Sequence, residues 1–297
     1  MHRPAPLTMI VAKSGPILRR GASRSNPGWL GIPGVFQGEG RPVFSTNMNP
    51  LILQLCDCLP ALRAWPSASV DCVIMDPPYG RTKLPWDHPL PWAALWPELL
   101  RVTKPSANLL LFSQQPFTTD LITSNREYFR YELIWQKSRA TGFLDARCRP
   151  LRSHENVLLF CQHWRGAGNR MLATYHPQKT PGIPYHKRRL NDRRGNRAAH
   201  YGSTSDPHQP TLNASGARFP KSVIPVRSVN EHGHPTAKPQ ELLRWLIRTY
   251  SNPGEVILDG CMGYGSTGLA ALAEGRRFIG MENDPAIFAQ ALLRFQN

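Results

Sequence analysis

The 297 residues contain no uninterrupted apolar run of about eighteen, the length a helix needs to cross a bilayer, so a membrane-spanning helix is excluded. The first ten residues have neither the apolar core nor the small-residue cleavage site of a secretory signal. Cysteine is sparse as well. The six cysteines, at 56, 58, 72, 148, 161 and 261, form no C-x-x-C cluster and have no histidines at zinc spacing. Neither a metal centre nor a disulfide framework is therefore expected, and the chain reads as a reduced, cytoplasmic protein.

Acidic residues are the third scarcity: 20 Asp and Glu against 36 Lys and Arg leave a net charge of +16. Met1 to Asn49 holds six basic residues and one acid, Pro50 to Trp164 twelve and ten, and Ser222 to Asn297 seven of each. Arg165 to Lys221 holds eleven against two, so more than half of the excess lies in about a fifth of the chain. A surface facing a polyanion has this distribution. Solubility is the plainer explanation of a mild excess. An anionic membrane fits less well, because the segment has no amphipathic helical repeat.

Residues 1–47 are rich in Gly, Pro and Arg and show no sustained period, which predicts a poorly ordered or locally folded extension. Met48 stands just before the first periodic segment and is a second candidate start, so the core is expected to begin there. From Leu51 strands and helices alternate in the manner of an α/β protein with a doubly wound sheet. Strands are predicted at Leu51 to Leu55, Val70 to Met75, Asn108 to Phe112, Tyr131 to Trp135 and Asn156 to Cys161. Helices are predicted at Leu59 to Trp65, Trp92 to Val102 and Pro116 to Ser124. The rhythm is lost across 165–225 and returns in 226–297. There Leu242, Leu243, Leu246 and Ile247 mark one face of a helix, Val256 to Leu258 and Arg277 to Met281 read as strands, and Pro285 opens a closing helix. The chain thus divides into an extension (1–47), a first half of the core (48–164), a basic insertion (165–225) and the second half of the core (226–297).

Two constellations carry chemistry. Asp259-Gly-Cys-Met-Gly-Tyr-Gly265 lies between a predicted strand and helix, where Gly263 and Gly265 let the backbone turn tightly and approach a ligand. Glu282 ends the next strand, where a carboxylate accepts hydrogen bonds from ribose hydroxyls. The phosphate-binding Lys of a P-loop is missing, so a nucleoside-bearing cofactor without a phosphate clamp is expected. The second constellation is Asp76-Pro77-Pro78-Tyr79, directly after a buried strand. Two prolines cannot continue a central ladder, so Asp76 stands at the strand's carboxyl end with a stiff turn behind it. Asp76 accepts one N–H of an aromatic amine and a carbonyl of the Pro77-Pro78 turn accepts another, while Tyr79 stacks on the base. An ordinary Pro-Pro turn after a strand is the plainer alternative.

These residues resemble the DNA amino-methyltransferases of the beta arrangement, in which a D/S-P-P-Y motif precedes a target-recognition region and the glycine motif comes last. The resemblance covers roughly Met48 to Asn297. It implies a Rossmann-like mixed sheet, S-adenosylmethionine as methyl donor and direct methylation of a flipped-out base in double-stranded DNA. Asp76 at the first catalytic position points to adenine N6; Ser is more usual there for cytosine N4, which stays open. His234-Pro-Thr-Ala-Lys238-Pro resembles the family's H-P-T-Q-K-P element beside the methionine end of the cofactor, with Ala237 in place of Gln. Asp57 resembles the acid that contacts the cofactor's adenine. Trp135-Gln-Lys137 and His154-Glu155 resemble blocks around the base pocket. Tyr264 departs from the usual glycine motif and either packs over the cofactor or obstructs it. The family brings a homodimer and a companion restriction enzyme into consideration as partners.

The basic insertion is expected to recognise the DNA, with Arg188, Arg189, Arg193 and Arg194 as the first candidates for reading guanine edges. Cytosine C5 methylation is disfavoured because it needs a thiolate, which the Asp76 motif lacks, and Cys261 reads as a small loop residue. RNA or protein glutamine as acceptor, a DNA-binding module without activity, and a nicotinamide oxidoreductase complete the alternatives. The last explains neither Asp76 to Tyr79 nor the basic insertion.

Overall fold

The computed structural model describes residues 9–13, 51–80, 87–166, 170–187, 211–228 and 238–296. In chain order the strands are β1 (Met9–Lys13), β2 (Leu51–Leu55), β3 (Val70–Met75), β4 (Thr103–Ser113), β5 (Phe129–Thr141), β6 (Arg152–Phe160), β7 (Tyr185–Lys187), β8 (Thr211–Asn213), β9 (Val223–Val226), β10 (Val256–Asp259) and β11 (Arg277–Glu282). The helices are α1 (Cys58–Ala64), α2 (Trp92–Val102), α3 (Phe117–Ser124), α4 (Gln240–Tyr250), α5 (Ser266–Ala273) and α6 (Pro285–Gln296). Among the described residues no helix is long and apolar enough to cross a membrane.

The main sheet runs β1-β2-β11-β10-β3-β4-β6-β5-β9, with β6 antiparallel to both neighbours and the other pairings parallel. Its central strands are apolar at successive positions because both faces are covered. Side chains alternate between faces. Accordingly Cys72 and Ile74 join Leu110, Leu243, Leu246 and Phe278 in one core, and Val73 and Met75 join Leu95, Leu99, Leu158 and Ile279 in the other. Helices pack on both sides of a mostly parallel sheet, the doubly wound α/β architecture that the alternation predicts.

Three features depart from the sequence expectation. Met9–Lys13 pairs in parallel with β2 and extends the sheet, although the core is expected to begin at Met48 and the stretch before it to be poorly ordered or locally folded. Its apolar run is too short to register as a sustained period. β4 begins at Thr103, five residues before the apolar run that announced it. β5 and β6 extend well beyond their apolar centres, to Thr141 and back to Arg152. Backbone pairing continues there although solvated polar side chains leave no hydrophobic signal.

The chain forms two compact units, Met1–His176 with Ser222–Asn297, and Pro177–Lys221. In the second, β7 pairs antiparallel with β8 and Thr180 bridges to Arg218. The Arg218 guanidinium lies 4.8 Å from the Tyr185 ring centre and donates to the Ile183 carbonyl at 2.6 Å, and Lys179 lies 4.5 Å from the Phe219 ring.

The carboxyl ends of β2, β11, β10, β3, β4 and β5 all fall on one edge of the sheet. From β3 the order continues through β4 on one side, and from β10 through β11 on the other. The gap between these two strands is therefore a topological switch point, where doubly wound folds bind ligands.

Candidate active site

Asp76 follows β3 directly, beside the residues that follow β10. Oδ1 of Asp76 accepts the Tyr79 hydroxyl at 2.8 Å, and Oδ2 accepts Lys238 Nζ at 2.5 Å. Pro77 is buried, Pro78 and Tyr79 are half-buried, and the Tyr79 ring stacks on Phe117 with centroids 5.2 Å apart. The sequence reading has Tyr79 available to a base. In the structure its ring is already against a protein partner and its hydroxyl buttresses the carboxylate. Burial and then the Asp76 charge push the Tyr79 phenol well above its usual range, so it acts as a donor.

Lys238 also pairs with Glu155 at 3.3 Å, and Glu155 is bonded in turn by Lys137 and by Gln114 Nε2 at 2.9 Å. Lys238 Nζ further sits 5.0 Å from the Phe112 ring centre. Two lysines and two carboxylates thus alternate through the interior in the order Lys137, Glu155, Lys238, Asp76. Burial alone would raise the Glu155 pKa, but Lys238 and Lys137 outweigh it and hold the carboxyl down at about 2. Burial would lower that of Lys238, but Asp76 and Glu155 raise it. Lys238 is thus a firm cation aimed at Asp76. The sequence associated it with the cofactor; the geometry joins it to the Asp76 carboxylate.

On the other side of the switch point, Asp259 ends β10, 2% exposed, with Oδ1 accepting the Cys261 amide at 3.0 Å. Burial pushes its pKa up to about 7, against hydrogen bonds from Thr267 and the Cys261 amide, and the Asp76 and Glu282 charges push the same way. Glu282 ends β11 with Oε2 accepting the Gly263 amide at 3.0 Å and Oε1 the Asp284 amide at 2.9 Å. It ties the glycine loop to its strand, while capping of α6 falls to Asp284, whose Oδ1 accepts the Ala286 amide at 2.8 Å. The two loop glycines differ in their surroundings. Both have positive φ, 52° at Gly263 and 76° at Gly265, but a Cβ on Gly263 would meet open space and one on Gly265 would lie 2.5 Å from the Phe295 ring. Gly263 therefore leaves space in front of the loop, whereas Gly265 makes room for α6. Tyr264 is half-buried, with its carbonyl accepting Arg294 at 2.9 Å.

Asp57 is exposed at the end of β2 and caps α1 by accepting the Leu59 amide at 2.8 Å. The adjacent Cys56 amide donates to the Glu282 carbonyl at 2.8 Å, and Leu55 is level with Glu282, so Asp57 follows the end of β2 next to the end of β11. Carboxyl groups just past or at three neighbouring strand ends, Asp57, Asp259 and Glu282, suit the hydroxyls and amine of a nucleoside cofactor. S-adenosylmethionine, the donor the family uses, fits such an acceptor set. Cys261 is half-buried; a hydrogen bond with Cys58 and then desolvation of its thiol raise its pKa well above the ordinary value and keep it protonated.

Arg188, Arg189, Arg193 and Arg194 lie outside the described residues, as do His234 to Ala237. The sequence reading missed Gln114, and it knew Lys137 and Glu155 only by the blocks around them. Their signal is pairing across β5 and β6, where Trp135 faces Glu155, and a single sequence does not display that register.

The chain is 44% identical over 61 residues to the DNA adenine methyltransferase YhdJ of Escherichia coli, covering 20% of this chain and 21% of that protein. It is 23% identical over 257 residues to the type II methyltransferase M1.MboII of Moraxella bovis, covering 79% and 92%. Among solved structures, the M1.HpyAVI complex with S-adenosylmethionine matches with a TM-score of 0.53 at 21% identity, over 82% of this chain and 98% of that one. The cytosine-N4-specific PvuII DNA methyltransferase matches with a TM-score of 0.54 at 15% identity, over 82% and 86%. These structural likenesses speak for the fold. The model of the N6/N4 methyltransferase family, described as DNA methylase, matches residues 70–292, and the chain belongs to that family of DNA methyltransferases.

Proposed function

We propose that this protein methylates N6 of adenine in double-stranded DNA, with S-adenosylmethionine as donor. The observation that carries the reading is the Asp76 carboxylate, fixed at the switch point by Tyr79 and Lys238 next to the glycine loop that Glu282 holds. When bound, the donor supplies an electrophilic methyl group on a sulfonium.

The chain's own residues do the rest. An aromatic amine is a poor nucleophile because its lone pair is delocalised into the ring. Asp76 accepts one amino N–H, which favours the tetrahedral nitrogen that bond formation needs, and a carbonyl of the Pro77-Pro78 turn accepts the other. To receive the base, Asp76 Oδ1 exchanges the Tyr79 hydroxyl for the amino N–H, while Lys238 keeps Oδ2 and so the carboxylate's orientation. The ring of Tyr79, released from Phe117 or shared with it, gives the flipped base a stacking surface. Asp57, Gly263 and Glu282 bind the nucleoside part of the donor. The basic segment Arg165 to Lys221, including Arg188, Arg189, Arg193 and Arg194, positions the duplex by its phosphates and reads guanine edges. Arg218 is occupied by Tyr185 and the Ile183 carbonyl, and Lys179 and Arg165 lie over the rings of Phe219 and Trp164.

The test is methylation of a random-sequence duplex library, with mass identification of the modified base and sequencing of the modified sites. N6-methyladenine is expected, and N4-methylcytosine as the sole product overturns the adenine assignment. Alanine at each of the four arginines in turn is expected to change the motif or lower the salt dependence; wild-type behaviour in all four removes the recognition role.

A further inference from the structure

The hairpin joining β5 to β6 carries a pattern that the methyl-transfer site does not use. β5 runs parallel to β3 and β4, so its carboxyl end points past the edge that holds Asp76. Trp135 lies level with Glu155. From Gln136 the strand continues to Gly142, roughly 15–20 Å at about 3.3 Å per residue and allowing for the irregular register there. Gly142, at φ 87°, turns the chain into a short 3-10 segment, Phe143–Asp145, and the chain returns to β6. At this tip Phe143 is 76% exposed and Leu144 85%. Two adjacent large apolar side chains on an outlying tip gain nothing from the core.

The flanks identify the occupant. Lys137 to Ser153 holds Lys137, Arg139, Arg147, Arg149 and Arg152 against one acid, Asp145, and that acid is paired with Arg149. A second copy of so basic a hairpin would be repelled, whereas a polyanion would be attracted. At the foot of the hairpin a cleft of about 410 Å³ opens between Gln114 at the end of β4 and Arg149, Arg152 and His154. The stem is joined to Asp76 by hydrogen bonds and one ion pair: Arg152 donates to Gln114 and Gln114 to Glu155, while Lys238 forms an ion pair with Glu155 and donates to Asp76.

We propose that this hairpin is a DNA-opening wedge: Phe143 and Leu144 insert between base pairs beside the target and fill the stack that the flipped base leaves, while Arg139 and Arg147 hold the flanking phosphates. Apolar wedges flanked by basic side chains unstack duplex DNA in this way. The inference rests on the reading of the protein as a base-flipping DNA methyltransferase.

The test compares the full-length wild type with the double variant Phe143→Ser, Leu144→Ser. Each acts on a duplex containing the methylated site, with the target base either paired or opposed by a mismatch that already unstacks it. Two readouts are taken: methyl transfer, and permanganate reactivity of thymines next to the target. The double variant is expected to lose about tenfold or more in kcat/KM on the paired target, less than about threefold on the mismatched one, and the permanganate signal on the paired duplex. Melting temperature and donor affinity should match wild type. Equal activity of variant and wild type, or equal loss on both duplexes, overturns the wedge. So does equal loss accompanied by dissociation of a wild-type dimer in sedimentation, which would make the tip a contact between copies. A wild type that opens the duplex but modifies no base would overturn the functional reading and leave the wedge standing.

Discussion

Lys238 and Asp76 stand 162 positions apart in sequence, yet Lys238 Nζ donates to Asp76 Oδ2 at 2.5 Å, and the same ammonium lies 3.3 Å from Glu155. One cation thus serves two carboxylates, one just past β3 and one on β6. Removing it leaves Asp76 without its counter-charge and Glu155 with Lys137 alone, in a largely buried setting. Lys238→Met is expected to destabilise the fold by about 3–5 kcal/mol and to lower methyl transfer. Urea denaturation measures the first and a transfer assay on the remaining folded protein the second. An unchanged denaturation midpoint would show that the pair carries no structural weight.

Asp76 and Tyr79 should separate in their effects. Asp76→Ala is expected to lower transfer by about a hundredfold or more while donor affinity in calorimetry stays near wild type, because the carboxylate acts on the amine. Tyr79→Phe loses the 2.8 Å bond to Asp76 but keeps the ring, so a loss of about tenfold or less is expected. Tyr79→Ala loses both and should be the more damaged. If Phe and Ala variants are equally impaired, the hydroxyl matters and the ring does not.

Glu155 gives the protein a specific acid sensitivity. Its folded-state pKa of about 2 lies below the ordinary 4.5. A carboxyl depressed on folding contributes stability that is fully present above its unfolded value and is lost as pH falls through the folded one. The contribution, a few kcal/mol in size, should therefore fade between about pH 4.5 and pH 2. Glu155→Gln lacks this component, so its stability deficit relative to wild type should shrink across the same window in pH-dependent melting. A deficit constant with pH would contradict the paired, ionised Glu155.

The two loop glycines offer a contrast on one turn. Gly265→Ala strains a residue at φ 76° and drives a methyl to 2.5 Å from Phe295, and about 2–4 kcal/mol of stability should be lost. Gly263→Ala has the strain without the collision and should cost about 1 kcal/mol. Its methyl instead enters the open space assigned to the donor, so calorimetry should show weakened S-adenosylmethionine binding in a folded protein. Normal binding by that variant would move the donor away from Gly263.

Much of this protein was readable without coordinates, and the reasons are local. Two prolines after a buried strand stop a ladder wherever they occur, so Asp76 had to stand at the end of β3. A strand, a glycine turn, a helix and a terminal acid in succession placed Asp259, Gly263, Gly265 and Glu282 at one edge. The spacing of Leu242, Leu243, Leu246 and Ile247 announced the buried face of α4, which the structure bears out. What depended on distant pairing was not readable. The register of β5 on β6 brings Lys137 to Glu155, the sheet order brings Lys238 to Asp76, and the cost of burying those charges is met only when the elements assemble. The same holds for the hairpin tip, since polar residues around Phe143 and Leu144 give no period to read, and only the direction of β5 relative to β3 shows that the tip projects beyond the edge where Asp76 stands.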